Sequence, residues 1–225
     1  MNRLQFLMEW EARFVGWIRA HGDQRDGSHD LGHFQRVWKA ARRINIMEGG
    51  PADELVLLAG AYFHDLVALP KDHPERNRSS LLSAEKTAAL LAADFPEFPA
   101  EKIAGVVHAI HAHSFSAGVV PETVEAKILQ DADRMEALGA IGIARVFYTA
   151  GQLGGRLFDA ADPMAVGREL DDRRYALDHF EVKLFRLPAT MNTVSGKALA
   201  EGHAGWMRGF VEKLRQEIAG ENAGT

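Results

Sequence analysis

The chain has 225 residues, 47% of them hydrophobic and 25% charged, with 21 Gly and 8 Pro, a globular balance that excludes fibrous, low-complexity and disordered classes. It has no cysteine, which excludes a disulfide framework, a thiolate metal site and a cysteine nucleophile, so any metal must rest on His, Asp or Glu. A net charge of -5, from 26 basic and 31 acidic residues, argues against duplex nucleic acid or an anionic membrane as partner.

Leu7, Trp10, Phe14 and Ile18 advance by three or four residues, as one face of an amphipathic helix requires. After a polar break, a second helix is expected over about 30–47, stopped by Gly49, Gly50 and Pro51. A third, over 52–69, is apolar on nearly every face, which predicts a central position. Its apolar run from Leu55 to Phe63 is far short of the roughly 20 residues of a membrane span. Glu9 and Glu11 break any secretory hydrophobic region, so a cytoplasmic protein is expected. Residues 70–80, PKDHPERNRSS, read as a loop. Further helices are expected over about 81–93, 100–113, 122–138, 141–148, 171–187 and 193–218, the last with an apolar stripe of Leu199, Trp206, Phe210 and Leu214 that His203 interrupts as a core histidine. No segment alternates with period two and no repeat is present, so the fold class is all-α. No Ser-, Pro- or Gly-rich linker divides the chain, and residues 1–225 are expected to form a single domain.

His64 and Asp65 fall within the most hydrophobic predicted helix, where burying an adjacent imidazole and carboxylate is costly unless something compensates both. A hydrogen-bonded core histidine with Asp65 on an arginine would suffice for a lone pair. Further donors change the balance: His33 lies in HDLGHFQRV, and the sixth helix carries Asp131 and Asp133 in KILQDADRMEALGA. Two imidazoles and two carboxylates on packed helices suit a divalent first-row cation with positions left for water and substrate. Helical periodicity leaves both aspartates open, because Asp131 falls beside Ile128 and Met135 while Asp133 shares a face with Ala126 and Leu129. In the fifth helix His113 lies near the face of Ile103, Val106 and Ile110 and points inward, whereas His108 and His111 are assigned to the surface.

HDLGHFQRV, FHD in an apolar helix and QDADRMEALGA, in that order, resemble the H...HD...D signature of the HD superfamily of metal-dependent phosphohydrolases. The wording HDLVALPKD, HSFS and HFEVKLFRLPATMNTVSGKALAEG extends the resemblance to a bacterial branch and to most of the chain. The resemblance implies a helical bundle with its metal-site core over about 26–140 and additional C-terminal helices over about 141–220 packed on it. It implies His33, His64, Asp65 and Asp133 as metal ligands, with Asp131 as a carboxylate orienting a ligand histidine. His29 and Asp30 are assigned to capping or to supporting the ligands. Lys71, Arg76, Arg78 and His113 become candidates for binding substrate phosphate, with His64, Asp65, Lys71 and His113 as the catalytic group. The implied cofactor is a divalent ion, Mn first, with Mg, Fe, Co, Ni or Zn as alternatives. The implied substrate is small and phosphorylated, a nucleotide, cleaved in the manner of a nucleoside triphosphate pyrophosphohydrolase. Ala68 and Leu69 stand where ppGpp hydrolases carry a Glu-Asp pair, which argues against that reaction. The alternatives are a non-catalytic metal- or nucleotide-binding sensor on the same fold and a dinuclear oxygenase, which would need more histidines than His113 adds.

Overall fold

A computed structural model describes residues 2–21, 30–69, 73–114 and 117–221. Regular structure among these residues is helical, with one isolated parallel bridge between Arg156 and Tyr175, and the fold is all-α as expected. No helix among them is long and apolar enough to cross a membrane. The chain divides into two compact units, Met1–Asp133 and Arg134–Thr225.

The first unit contains α1 (Arg3–His21), α2 (Leu31–Met47), α3 (Glu54–Phe63), α4 (Ser79–Asp94), α5 (Ala100–His113) and α6 (Val124–Met135) up to Asp133. Leu7, Trp10, Phe14 and Ile18 form the buried face of α1, the stripe their spacing predicts. Phe14 meets Phe63 at the end of α3 (centroids 4.8 Å apart) and Phe95 after α4 (5.1 Å), and Trp10 meets Phe98 at 5.5 Å. These edge-to-face contacts fix the end of α3, where His64 follows. Asp53 caps α3 by accepting the backbone N–H of Leu55 and Val56, and Lys102 of α5 holds the same carboxylate. Gly60 lets α3 approach α6, since a Cβ there would lie 2.9 Å from Leu129 Cδ2.

Helix α3 is shorter than its hydropathy predicts. It ends at Phe63, His64 occupies the C-cap, and 64–67 follow as turns and bends. The reason is tertiary: Val67 and Leu69 donate their backbone N–H groups to the hydroxyls of Ser83 and Ser79 on α4 rather than to preceding carbonyls.

The second unit contains α7 (Gly139–Gln152), α8 (Asp178–Val182), a 3-10 segment (Leu184–Thr190) and α9 (Val194–Ile218). Phe147, Phe180 and Phe210 cluster in its core, at 6.2–6.3 Å between ring centroids. The continuous helix expected over 171–187 is absent. Arg156 pairs its N–H and C=O with Arg174 and Ala176, and Asp178 receives both Arg168 nitrogens (2.5 and 2.8 Å) and the Asp171 N–H, so this backbone is committed elsewhere. On α9 Ala200, Ala204 and Met207 are fully buried, Leu199, Phe210 and Leu214 of the expected stripe are half-buried, and His203 and Trp206 are exposed. A core role for His203 is therefore withdrawn.

Candidate metal centre

Each donor arrives at the centre from a helix end or its last turns. Asp30 caps α2 by accepting the N–H of His33 (2.8 Å), which sets the first turn and turns the fully buried His33 ring inward. His64 is fully buried at the end of α3, with Asp65 beside it and partly exposed. Asp133 is in the last turn of α6, with 28% of its side chain exposed, and His113 closes α5.

His33 Nε2 and His64 Nε2 are 3.0 Å apart. Asp133 Oδ1 is 3.6 Å from both, and Asp65 Oδ2 is 3.5 Å from His64 Nε2 and 4.0 Å from His33 Nε2. His113 Nε2 lies 3.4 Å from the other Asp65 oxygen, Oδ1. Donors about 2.1 Å from a common ion stand roughly 3.0–3.4 Å apart at adjacent corners of an octahedron or tetrahedron. The nitrogens stand at that spacing and the carboxylate oxygens slightly beyond it, and two triads, His33–His64–Asp65 and His64–His113–Asp133, are close enough to hold a cation.

The ring nitrogens are prepared for this. His64 Nδ1 is 3.0 Å from the carbonyl of Ala61 and His113 Nδ1 is 2.6 Å from that of Ile110. A carbonyl only accepts, so each Nδ1 carries the proton and each Nε2 presents a lone pair to the centre. Lone pairs held beside two carboxylates repel unless positive charge lies among them, so the donor set fits a divalent cation. When no cation offsets them, the same carboxylates favour a proton on the rings instead. Burial pushes the His64 ring down, yet the Asp65 charge and the Asp133 hydrogen bond outweigh it and lift the ring to about 9. Burial opposes ionisation of Asp133, but hydrogen bonding to His64 and the three histidines' charge hold its carboxyl far below the usual range.

Of the other sequence candidates, Asp131 is fully buried on α6, and Asp30 serves as the α2 cap. Arg76 and Arg78 are exposed in a 3-10 turn before α4, where Arg78 pairs with Glu75 at 2.5 Å, and neither belongs to the cluster. His29 and Lys71 lie outside the described residues. His108 is half-buried rather than superficial: its Nε2 accepts the N–H of Glu122 and ties α5 to the approach to α6. Sequence reasoning missed Gln130, buried on α6 one turn before Asp133, whose Nε2 donates to the carbonyl of Ala112 at 2.7 Å and so joins the His113 end of α5 to α6. Its only sequence signal is a polar residue on the buried face leading to DAD.

An all-helical unit gathering one His, a His-Asp pair and a later Asp is the arrangement of an HD domain, and residues 30–138 match the HD domain family. The chain belongs to that family, whose members are metal-dependent hydrolases. It is 31% identical over 213 residues to YpgQ of Bacillus subtilis, covering 93% of this chain and 94% of that protein. The crystal structure of YpgQ in complex with ADP superposes with a TM-score of 0.69 at 28% identity, over 96% of this chain and 99% of the other. An HD-superfamily hydrolase from Bacillus thuringiensis gives a TM-score of 0.70 at 29% identity, over 94% and 97% of the two chains.

Proposed function

We propose that the protein is a divalent-metal-dependent phosphohydrolase that cleaves phosphoester or phosphoanhydride bonds of nucleotides, with nucleoside triphosphate pyrophosphohydrolysis as the leading reaction. The observation that carries the reading is the pair of imidazole Nε2 atoms 3.0 Å apart, with a carboxylate oxygen of Asp65 and one of Asp133 each 3.5–4.0 Å from both. The ADP held by the YpgQ structure supports a nucleotide as the substrate class.

In this reading His33, His64, Asp65 and Asp133 hold the cation, a set that accepts Mn, Fe, Co, Ni or Zn, with Mn placed first by the family resemblance. Bound there, the cation supplies polarisation of a phosphoryl oxygen and a lowered pKa for water. The carbonyls of Ala61 and Ile110 keep the two rings in the Nδ1–H tautomer, so that no ring rotation competes with ligation. His113 stands at the edge of the cluster, against Asp65 Oδ1, where, once protonated on Nε2, it contacts a phosphate or delivers that proton to the leaving group. Asp131 supports a ligand histidine, and Lys71, Arg76 and Arg78 supply charge for the phosphates that the cation does not reach. The reaction proceeds by water attack with no covalent enzyme intermediate.

The test is metal analysis followed by release of phosphate and pyrophosphate from nucleoside mono-, di- and triphosphates and a simple aryl phosphate. His64→Ala and Asp65→Ala should lose metal and turnover together. Full Mn occupancy in Asp65→Ala, or nucleotide binding without metal-dependent turnover in the parent, refutes the reading.

A further inference from the structure

The short backbone segment that carries Asp65 has left the helix, and its polar groups need partners. Three hydroxyls on one face of α4 provide them. Ser79, Ser83 and Thr87 are spaced by four residues, which stacks them along the helix. Ser79 Oγ accepts the N–H of Leu69 at 3.3 Å. Ser83 Oγ accepts the N–H of Val67 at 3.0 Å and faces the Val67 carbonyl at 3.4 Å. Thr87 Oγ1 lies 3.5 Å from the carbonyl of Phe63 and 2.7 Å from that of Ser83. Ser83 and Thr87 are fully buried, so water does not replace them. The ladder thus grips the chain on both sides of His64–Asp65, at Phe63 and at Val67. None of the three hydroxyls is a donor in the cluster.

We infer that Ser79, Ser83 and Thr87 are positioning residues for the metal centre: they hold the 63–69 backbone so that Asp65 meets His33, His64 and His113. This inference rests on the metal-centre reading above. A carboxylate on irregular backbone is only as well placed as that backbone is fixed. Without Ser83, the Val67 N–H and C=O lose their partners two residues from Asp65.

The experiment is titration of the metal-stripped full chain with Mn(II), followed by electron paramagnetic resonance or calorimetry. Ser83→Ala should weaken Mn(II) binding by about 10- to 100-fold, the loss that follows removal of a group orienting a ligand. Ser79→Ala, which frees an N–H farther from Asp65, should weaken it less, and Ser79→Thr, which keeps the hydroxyl, should bind as the parent does. Leu7→Ala, a core cavity in α1, controls for stability: it should lower Tm and leave Mn(II) affinity unchanged. If Ser83→Ala does not fold, Ser79→Ala and Thr87→Val against Thr87→Ser carry the same comparison. Mn(II) affinity in Ser83→Ala within about twofold of the parent, or an equal loss in Leu7→Ala, overturns the inference. A parent chain that binds no Mn(II) overturns the metal-centre reading itself, which separates the two failures.

Discussion

Replacing Asp133 by alanine removes the carboxylate that lies 3.6 Å from both His33 Nε2 and His64 Nε2. Opposite unit charges near 4 Å attract by about 4 kcal/mol at the effective dielectric of a partly exposed site. With 28% of the Asp133 side chain open to solvent, about 3–4 kcal/mol is the expected loss of cation binding, or roughly 100- to 1,000-fold in Kd. Asp131→Ala should cost less, about 10- to 100-fold, the loss expected of the proposed role in which its carboxylate orients a ligand. The assay is Mn(II) titration of both metal-stripped variants, with circular dichroism to verify helix content. Asp133→Ala binding within about threefold of the parent, or a larger loss in Asp131→Ala, would refute the assignment and shift the ligand by two residues.

Lys71→Ala should retain metal and fold but lose about 1.5–3 kcal/mol of phosphohydrolase efficiency, more for a triphosphate than for a monophosphate, and equal kcat/KM on every substrate would remove the loop from substrate binding. Asp53→Ala should destabilise the fold by about 1–2 kcal/mol at neutral pH through loss of the α3 cap, measured by urea unfolding. Burial raises the Asp53 carboxyl, but the Lys102 contact and the N–H groups of Val56 and Leu55 outweigh it and leave it below its ordinary 3.8. The ionised carboxylate's contribution is therefore present in full above that value and lost as pH falls below it, so the gap between Asp53→Asn and parent should close in acid and stay constant above about pH 5. A single-domain reading of residues 1–225 predicts one calorimetric transition for the metal-free chain, and two resolved transitions would refute it.

The sequence made the helical class and most helix positions legible because the apolar residues of α1, α2 and α5 repeat at helical spacing around buried faces. It also pointed to the cluster, since His64 and Asp65 interrupt an apolar run, His113 lies on the inward face of α5, and His33 and the DAD stretch supply further donors, with Asp133 selected by the family resemblance. The end of α3 was hidden because Leu66, Val67 and Leu69 continue the apolar composition while hydroxyls sixteen and ten residues later capture their backbone. The 171–187 segment failed for a similar reason: Arg168 and Arg156 precede it in the chain and draw it out of helical hydrogen bonding. The choice between Asp131 and Asp133 was undecidable from periodicity because both positions of α6 face protein, and their separation lies in side-chain direction. On α9, the fully buried positions include Ala200 and Ala204, small residues that a search for large apolar side chains passes over.

The bonds from His64 to Ala61 and from His113 to Ile110 each span three residues within a single helix end. Orientation of these two imidazoles is consequently a local property, established when one turn folds and independent of which distant side chain packs nearby. Many metal-bound histidines borrow a remote carboxylate for this purpose, which ties the site to a long-range contact. Here His64 and His113 bring their own alignment, so the surfaces around these two rings can diverge in sequence without retuning the nitrogens they present to the cluster.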